Sequence, residues 1–334
     1  MPVDPNLTSD TCIFMEPGAS PNWWTSDDVM ITGPSATGVA QPGVINNVQV
    51  TVRQKPQGCT LPGGTDFVKV DLYVCNPTAS PPVITSGQVK KILDANPMNP
   101  TFPDITVDLA NLPNGGSFPQ TVQWNLPPIS GSSHPAETAG HKCLIARAYP
   151  NILSVSTSNN IGDYVQSGDQ HYAQRNICIQ TCSSPCGVDL WSENDNRELR
   201  RDVTFRVVAD LNPTRQVLDV ALPLLRRVPG FRRVVPRTPR NGFGLGFPDF
   251  PNAEVTDNTR PGCWGLIRKL ISPSGAGFQP SFAARVQLAP RQLTTYRFMT
   301  DLDGSEVGDA HLFHLMHVEN NRVLSGITIA MVKV

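Results

Sequence analysis

The sequence has few charged residues and no long apolar run. Asp, Glu, Lys and Arg make up 16% of its 334 residues, below the roughly 25% that is typical of soluble domains. No stretch approaches the run of about 18 apolar residues that marks a membrane-spanning helix, so we expect no membrane span. The amino terminus, MPVDPNLTSD, lacks the basic and apolar regions of a signal peptide. This fits a mature form, a cytosolic protein, or one exported by another route.

The common local motifs of catalysis and cofactor binding are also missing. The chain has no His-Glu-x-x-His, no Gly-x-Ser-x-Gly, no Walker loop and no dinucleotide fingerprint after a strand. His317-Val-Glu319 lacks the Pro-Cys-x-x-Cys partner of a zinc deaminase. We therefore expect a protein that is not an enzyme and has no cofactor. A dispersed acid pair of the glycosidase kind leaves no local motif, so a hydrolase is kept as the least favoured alternative.

Charge is nearly balanced over the whole chain but not over its halves. The formal net charge is −1. Residues 1–186 hold 8 Lys and Arg against 13 Asp and Glu, whereas residues 187–334 hold 19 against 15. This balance gives no support for nucleic-acid binding. Two halves with opposite net charge would favour head-to-tail contacts between copies of the chain. The alternative is that this charge difference has no functional meaning.

Proline and alternating apolar residues predict an all-β fold. The 32 prolines are spread along the chain, and each interior proline would cost a helix about 3 kcal/mol. Apolar and polar residues alternate in short stretches bounded by turn residues, the pattern of half-buried strands. In the first half these stretches are 28–32, 47–53, 67–74, 121–126, 141–148 and 176–180. We predict two immunoglobulin-like β-sandwich domains in tandem, over 1–186 and 187–334, with Cys182–Gly187 as the linker.

The second half shows the same period and one exception. Residues 202–209 alternate, and 284–288, 293–299, 311–317 and 323–334 read as four consecutive strands of a β-meander. Asp303-Gly304 and Asn320-Asn321 supply residues that tolerate the positive φ of tight turns. The segment 214–228 has helical spacing interrupted by Pro223, so a short helix and an irregular crossover are both open.

Several blocks of sequence resemble one family. They are Trp23-Trp24-Thr-Ser26-Asp-Asp28, Asn46-Asn47-Val-Gln-Val, His141-Lys-Cys143-Leu-Ile-Ala-Arg147, Ala173-Gln174-Arg175-Asn176 and, in the second half, Gly308-Asp-Ala-His-Leu-Phe and Leu324-Ser-Gly326-Ile-Thr-Ile. Together they resemble bacterial proteins with tandem CARDB-like immunoglobulin-like domains, which open with Trp-x-Ser-Pro-Asp-Ile and carry a later Ala-Gln-Arg-Asn strand. The first block departs from that pattern, because Asp27 stands in place of proline.

The resemblance implies two sandwiches and an interaction role, and it supplies no catalytic residues and no ligand. Our leading hypothesis is a non-enzymatic structural or interaction protein, a building block of an extracellular, surface or particle assembly. Its expected partners are other copies of itself or other proteins, through faces, loops and strand edges. The alternative is a ligand-binding module for sugar, calcium or an anionic surface.

Histidines and cysteines suggest metal sites that their spacing does not favour. On a strand, His311 and His317 share a face roughly 20 Å apart while His314 points away, so one zinc ion cannot use all three. Cys178, Cys182 and Cys186 match neither a zinc ribbon nor common iron–sulfur patterns. If this segment is an extended strand, successive cysteines of the three lie about 13 Å apart. We expect disulfide partners or free thiols among the eight cysteines.

Two charged segments are the remaining candidates. Arginines cluster in an insertion near 213–250, at Arg226, Arg227, Arg232, Arg233, Arg237 and Arg240. Guanidinium groups suit phosphates, carboxylates and acidic surfaces, so this is the predicted partner-binding loop; the alternative is a loop with its arginines in water. Carboxylates gather at Asp301, Asp303, Glu306 and Asp309. Their spacing differs from a calcium loop, so they are weak metal candidates and a solvated turn is favoured.

Overall fold

The fold is nearly all β. The computed structural model has 55% of its described residues in strands and 6% in helix, arranged as packed, mainly antiparallel sheets. It describes residues 5–16, 22, 24–34, 39–78, 88–95, 105–128, 140–155, 169–183, 185–194, 198–236, 239, 242–246, 254–255, 259–261, 266–269 and 281–334. No helix of this part of the chain is both long and apolar enough to cross a bilayer.

The chain divides into two compact units, the first made of Met1–Asn76 and Pro82–Asn176 and the second of Pro77–Pro81 and Ile177–Val334. The predicted domain boundary at 186/187 stays a prediction. The strands of the first unit are β1 (Ile13–Phe14), β2 (Val29–Gly33), β3 (Val39–Ala40), β4 (Val44–Gln54), β5 (Phe67–Cys75), β6 (Val89–Ile92), β7 (Ile105–Asp108), β8 (Ser117–Leu126), β9 (Gly140–His141), β10 (Cys143–Pro150) and β11 (Tyr172–Arg175). A short 3-10 turn, Leu109–Asn111, follows β7.

The first unit is a sandwich of two antiparallel sheets. In one sheet β4 pairs with β1, β2 and β8, and in the other the order is β11-β10-β5-β6, with β7 also pairing with β5. Val48, Val50 and Val52 of β4 are fully buried and pack in one core with Val68 and Val70 of β5. The predicted alternation is therefore confirmed for these two strands, because every second side chain of a strand points to the same face.

The second unit adds twelve strands and one α-helix to the described fold. The elements are β12 (Ile177–Cys182), β13 (Cys186–Glu193), β14 (Arg201–Asp210), α1 (Arg215–Leu225), β15 (Arg233–Val234), β16 (Phe243–Gly246), β17 (Glu254–Val255), β18 (Thr259–Pro261), β19 (Leu266–Lys269), β20 (Ser281–Leu288), β21 (Leu293–Thr300), β22 (Asp309–Glu319) and β23 (Arg322–Lys333).

Two sheets of the second unit enclose its main core. The larger has the order β12-β23-β22-β14-β20-β17, with β15 pairing with β22, and the smaller has the order β13-β21-β16-β19-β18. Aromatic rings meet between them: the Phe298 and Phe313 centroids lie 4.9 Å apart, and those of Phe205 and Tyr296 lie 4.7 Å apart. The unit is thus a sheet-on-sheet sandwich.

Two topological predictions were wrong. The predicted four-strand meander does not form, because β20 and β21 lie in different sheets and only β22 and β23 pair as consecutive neighbours. The strand predicted at 176–180 closes no sheet of the first half, since β12 pairs in parallel with β23. The turn chemistry was right for β22 and β23, because Asn320 and Asn321 have φ values of 48° and 61°, as a two-residue hairpin loop requires.

The segment 214–228 contains a helix, α1, which settles the alternative that the sequence left open. Thr214 caps it by accepting a hydrogen bond from the Val217 N–H. Val217, Val220 and Leu224 pack on the outer face of the larger sheet with residues of β12, β22 and β23. Pro223 is exposed in the last turn. Burial of one apolar face therefore outweighs the proline.

Replacing Thr214 with alanine is expected to lower the free energy of unfolding by about 1 kcal/mol, because the first turn loses its side-chain cap. Urea unfolding followed by circular dichroism measures the change. Thr214→Ser keeps a hydroxyl acceptor and should stay close to the wild type. Equal stability of Thr214→Ala and the wild type would contradict the capping role.

Candidate interaction site

Two of the six arginines in the predicted partner-binding loop, Arg232 and Arg233, form ion pairs within the chain. Arg226 and Arg227 are exposed after α1, and Arg237 and Arg240 lie outside the described residues. Arg232 Nη1 lies 2.6 Å from Glu306 Oε2. Arg233 Nε donates to Asp309 Oδ1 at 2.9 Å, and its Nη2 lies 3.6 Å from Glu306 Oε2. We call Arg232, Arg233, Glu306 and Asp309 the arginine–carboxylate cluster.

Strand pairing creates this cluster. β15 runs parallel to the start of β22, which places Arg233 opposite Asp309. Asp309 is fully buried, and its second oxygen accepts the Glu306 N–H. Burial alone would raise the pKa of Asp309, but the hydrogen bond from Arg233 holds it below the usual range. Two arginines of the predicted cationic loop are therefore paired with two carboxylates of the predicted acidic turn.

The weak calcium candidates do not form a cation cage. Asp301 accepts the N–H of Asp303 across the turn, while Glu306 and Asp309 bind arginines. In the described part of the chain, the group of carboxylates close enough to share an ion is Glu16, Asp27 and Asp28. Arg53 already supplies the cation there, because its guanidinium holds both oxygens of Asp28 and lies 3.1 Å from Glu16. This arrangement is an ion pair that links Arg53 of β4 to Glu16 and to Asp28, the residue just before β2.

The three histidines lie on β22, as predicted, and each has a partner in the fold. Ser305 Oγ lies 2.8 Å from His311 Nε2, and the ring of His317 packs 5.8 Å from that of Phe205. His314 Nε2 contacts Asp210 Oδ2 at 2.7 Å and its Nδ1 contacts Thr328 Oγ1 at 3.1 Å. This hydrogen-bonded series of a threonine hydroxyl, an imidazole and a carboxylate is the one found in a nucleophilic catalytic triad. Thr328 is 0% exposed, however, so its hydroxyl meets no substrate and the set ties three neighbouring strands together.

Two buried ionic groups in the first unit were missed by sequence reasoning. Arg147 Nε donates to Asp71 Oδ2 at 2.7 Å, and the Tyr73 and Tyr149 hydroxyls bind to this pair; Lys91 Nζ lies 2.7 Å from the other Asp71 oxygen. The signal that was available is an arginine within the apolar strand Cys143–Pro150, which is buried throughout.

The second missed group is centred on His171. Its Nδ1 lies 2.6 Å from Asp169 and its Nε2 lies 3.2 Å from Asp10, and all three side chains are buried. Burial alone would lower the pKa of His171, but the two carboxylates raise it to about 9. The imidazolium therefore holds the amino-terminal segment to the loop before β11.

The cysteines include two disulfides and three buried thiols among the described residues. Cys12 is bonded to Cys59, and Cys182 to Cys186 with a Cα–Cα distance of 5.6 Å. The spacing of about 13 Å that an extended segment would give does not apply to this second pair, because the chain turns between β12 and β13. Cys178 is a thiol whose pKa burial raises to about 12. The cysteine triplet therefore forms no cluster site.

The strand edges of the two units differ in how they are protected. β8 is an edge strand of the first unit and carries Pro119, and Gln123 of β8 bonds to Asp94 and Ala95 along its outer side. β13 is one of the two edge strands of the smaller sheet in the second unit, as the sheet is described. Thr78 covers one end by donating its hydroxyl to the Trp191 carbonyl. We call the exposed stretch Gly187–Asp189 the open edge, since no described strand pairs along its outer side.

The main chain of the open edge faces outward. β13 pairs with β21 without a register shift, and the Asn194 N–H bonds to the Gln292 carbonyl in the same register. Main-chain groups of alternate residues point to opposite sides of a strand, so the N–H and C=O of Gly187 and Asp189 point away from β21. The outward carbonyl of Trp191 fits the same alternation. Among the described residues, nothing pairs with these outward donors and acceptors of Gly187 and Asp189, so they suit the addition of another strand.

Comparisons with known proteins add no functional assignment. No family model and no curated protein matches the chain. Among solved structures, red sea bream transglutaminase aligns with 92% of this chain and 31% of its own, at 10% identity and a TM-score of 0.18. An anti-sigma factor domain-containing protein aligns with 95% of this chain and 97% of its own, at 8% identity and a TM-score of 0.20. The chain therefore spans about a third of the transglutaminase, and similarity this low carries no argument.

Proposed function

We propose that this protein is a non-enzymatic structural or interaction protein, a building block of an extracellular, surface or particle assembly. Two disulfides support the oxidising setting of such an assembly, since disulfides persist where thiols are not kept reduced. The partner that we assign to it is a second copy of the same chain. The observation that carries the proposal is the open edge of β13.

An open edge is a direct route to association. Unpaired main-chain groups of an edge strand bind another strand by extending the sheet. Proteins that avoid this contact place proline or an unmatched charge on the edge strand. Pro119 is such a proline on β8. Here Gly187 has no side chain to obstruct a second backbone. The charge of Asp189 is matched by Arg297, whose Nε and Nη2 lie 2.6 and 2.7 Å from the carboxylate.

Edge-to-edge pairing of two copies gives a symmetric contact. Two antiparallel β13 strands related by a twofold axis present the same residues to each other, as in an isologous dimer. The main-chain groups of Gly187 in one copy then meet those of Asp189 in the other. Such a contact is short, so we expect weak association of isolated molecules, strengthened where an assembly holds many copies together.

Asp189→Pro is expected to weaken this association at least about tenfold. Proline removes the outward N–H of residue 189, while the bonds to β21 are retained because neighbouring residues make them. The measurement is the weight-average mass by sedimentation or light scattering from about 1 µM to 1 mM. The wild type should gain mass with concentration, and Asp189→Pro should remain closer to the monomer.

Asp189→Ala is the matched control. It removes the same carboxylate and the same pairing with Arg297 but keeps the N–H, so it should associate like the wild type. Thermal unfolding of the three proteins checks that each is folded. A wild type that stays monomeric over the whole range, or an Asp189→Pro variant that associates as the wild type does, would refute the proposed edge contact.

A further inference from the structure

Two buried thiols face each other in the first unit. Cys75 is the last residue of β5 and Cys143 is the first residue of β10, and the antiparallel register makes them direct partners. Both are 0% exposed. Gln174 Nε2 donates to Cys143 Sγ at 3.1 Å. Neither thiol belongs to the proposed contact at β13.

The strand register gives this pair the backbone spacing of a disulfide. The Asn151 N–H donates to the Phe67 carbonyl in the register of β5 and β10. In an antiparallel ladder every second residue pair is hydrogen-bonded, so Cys75 and Cys143 form such a pair as well. The Cα atoms of a hydrogen-bonded pair lie about 5.5 Å apart. Disulfides most often have Cα distances of about 5.5–6 Å. The Cys182–Cys186 disulfide of this chain has 5.6 Å.

We propose that Cys75 and Cys143 form a third disulfide, linking β5 to β10, when the chain folds in the presence of a small-molecule disulfide such as oxidised glutathione. The thiolate of one cysteine attacks a sulfur of the small disulfide, forms a mixed disulfide and releases one small thiolate. The second cysteine, as thiolate, attacks the protein sulfur of the mixed disulfide and releases the other. Two cysteine thiols are oxidised, one small disulfide is reduced to two thiols, and the two protons pass to the released thiolates.

This cross-link depends on when oxidation takes place. Burial raises the pKa of Cys75 well above its usual value, and the thiolate is the species that reacts. In the folded protein neither sulfur is accessible to an oxidant in solution. The bond therefore forms while the two strands are assembling, and a chain folded under reducing conditions keeps both thiols after later exposure to the oxidant.

The test compares two preparations of the full chain. One is reduced, unfolded and refolded in a glutathione redox buffer, and the other is refolded in a reducing agent. Remaining thiols are alkylated under denaturing conditions, and peptides are mapped by mass spectrometry without reduction. In the oxidised preparation we expect the peptides of Cys75 and Cys143 to be linked with the loss of two hydrogens. Cys12–Cys59 serves as the internal standard for successful oxidation.

Variants make the assignment specific. Cys75→Ala should leave Cys143 alkylated, and Cys143→Ala should leave Cys75 alkylated. Cys178→Ala, which removes a buried thiol from the second unit, should keep the link. The oxidised wild type should melt at least about 5 °C above Cys75→Ala/Cys143→Ala. Alkylated Cys75 and Cys143 beside an intact Cys12–Cys59 bond, or either cysteine linked elsewhere, would overturn the proposal.

Discussion

Replacing Asp71 with asparagine is expected to lower the free energy of unfolding by about 3–5 kcal/mol, because it leaves the buried charge of Arg147 without its partner. Arg147 is 2% exposed and Asp71 is 5% exposed. Burial alone would raise the pKa of Asp71, but Arg147 and Lys91 hold it below the usual value, so the carboxylate is charged at neutral pH. Urea unfolding at pH 7 measures the effect.

Lys91 provides the control for this prediction. Its ammonium also contacts Asp71, yet its side chain is 39% exposed. Lys91→Ala should therefore cost about 1 kcal/mol or less, as is usual for a pair open to solvent. A second variant, Asp71→Leu/Arg147→Met, removes both charges and should recover much of the loss. An Asp71→Asn variant within 1 kcal/mol or so of the wild type would show that Arg147 finds compensation elsewhere.

His171 is expected to make the protein less stable as pH rises through about 9. Its pKa rises from 6.5 to about 9 in the folded state. Because the folded pKa lies above the unfolded one, the stabilisation is complete below about pH 6.5 and is lost as pH rises through about 9. The full difference corresponds to about 3 kcal/mol. Denaturation midpoints between pH 6 and pH 10 measure this loss.

His171→Gln should abolish most of the pH dependence between pH 6.5 and 9, because glutamine forms hydrogen bonds but binds no proton. It should be less stable than the wild type at pH 6 and similar to it at pH 10. His317→Gln is the comparison, since burial lowers the pKa of His317 and its ring is neutral over that interval. If His171→Gln kept the wild-type profile, the assignment of the proton to His171 would be wrong.

The sequence predicted strands better than it predicted their partners. Alternation is local, so the stretches that became β4, β5, β14, β22 and β23 could be read from consecutive side chains. Pairing depends on distant segments: β12 pairs in parallel with β23, and nothing in either strand marks the other. The predicted meander failed for the same reason. Alternation shows that a strand has a buried face but not which sheet it joins.

The sequence did not show which charged residues pair when the two partners are far apart along the chain, and the partner-binding role of the arginine loop stays a prediction. Arg232 and Arg233 looked like a partner-binding loop because their carboxylates lie some seventy residues later, at Glu306 and Asp309. His171 was not predicted as a charged centre, since Asp10 is at the other end of the first unit's chain. The open edge required knowledge of the register of β13 and β21, which depends on the folded sheet.

The Cys12–Cys59 disulfide also determines how the first unit would respond to a pulling force. The bond joins residues separated by 47 positions, and those residues would span roughly 160 Å if fully extended. If the chain were pulled from its ends, the residues between Cys12 and Cys59 could not extend while the disulfide is intact. The fully extended length would therefore be shorter by about this amount. Reduction would release it as one additional step in extension. A redox change would thereby alter the reach of a molecule under tension.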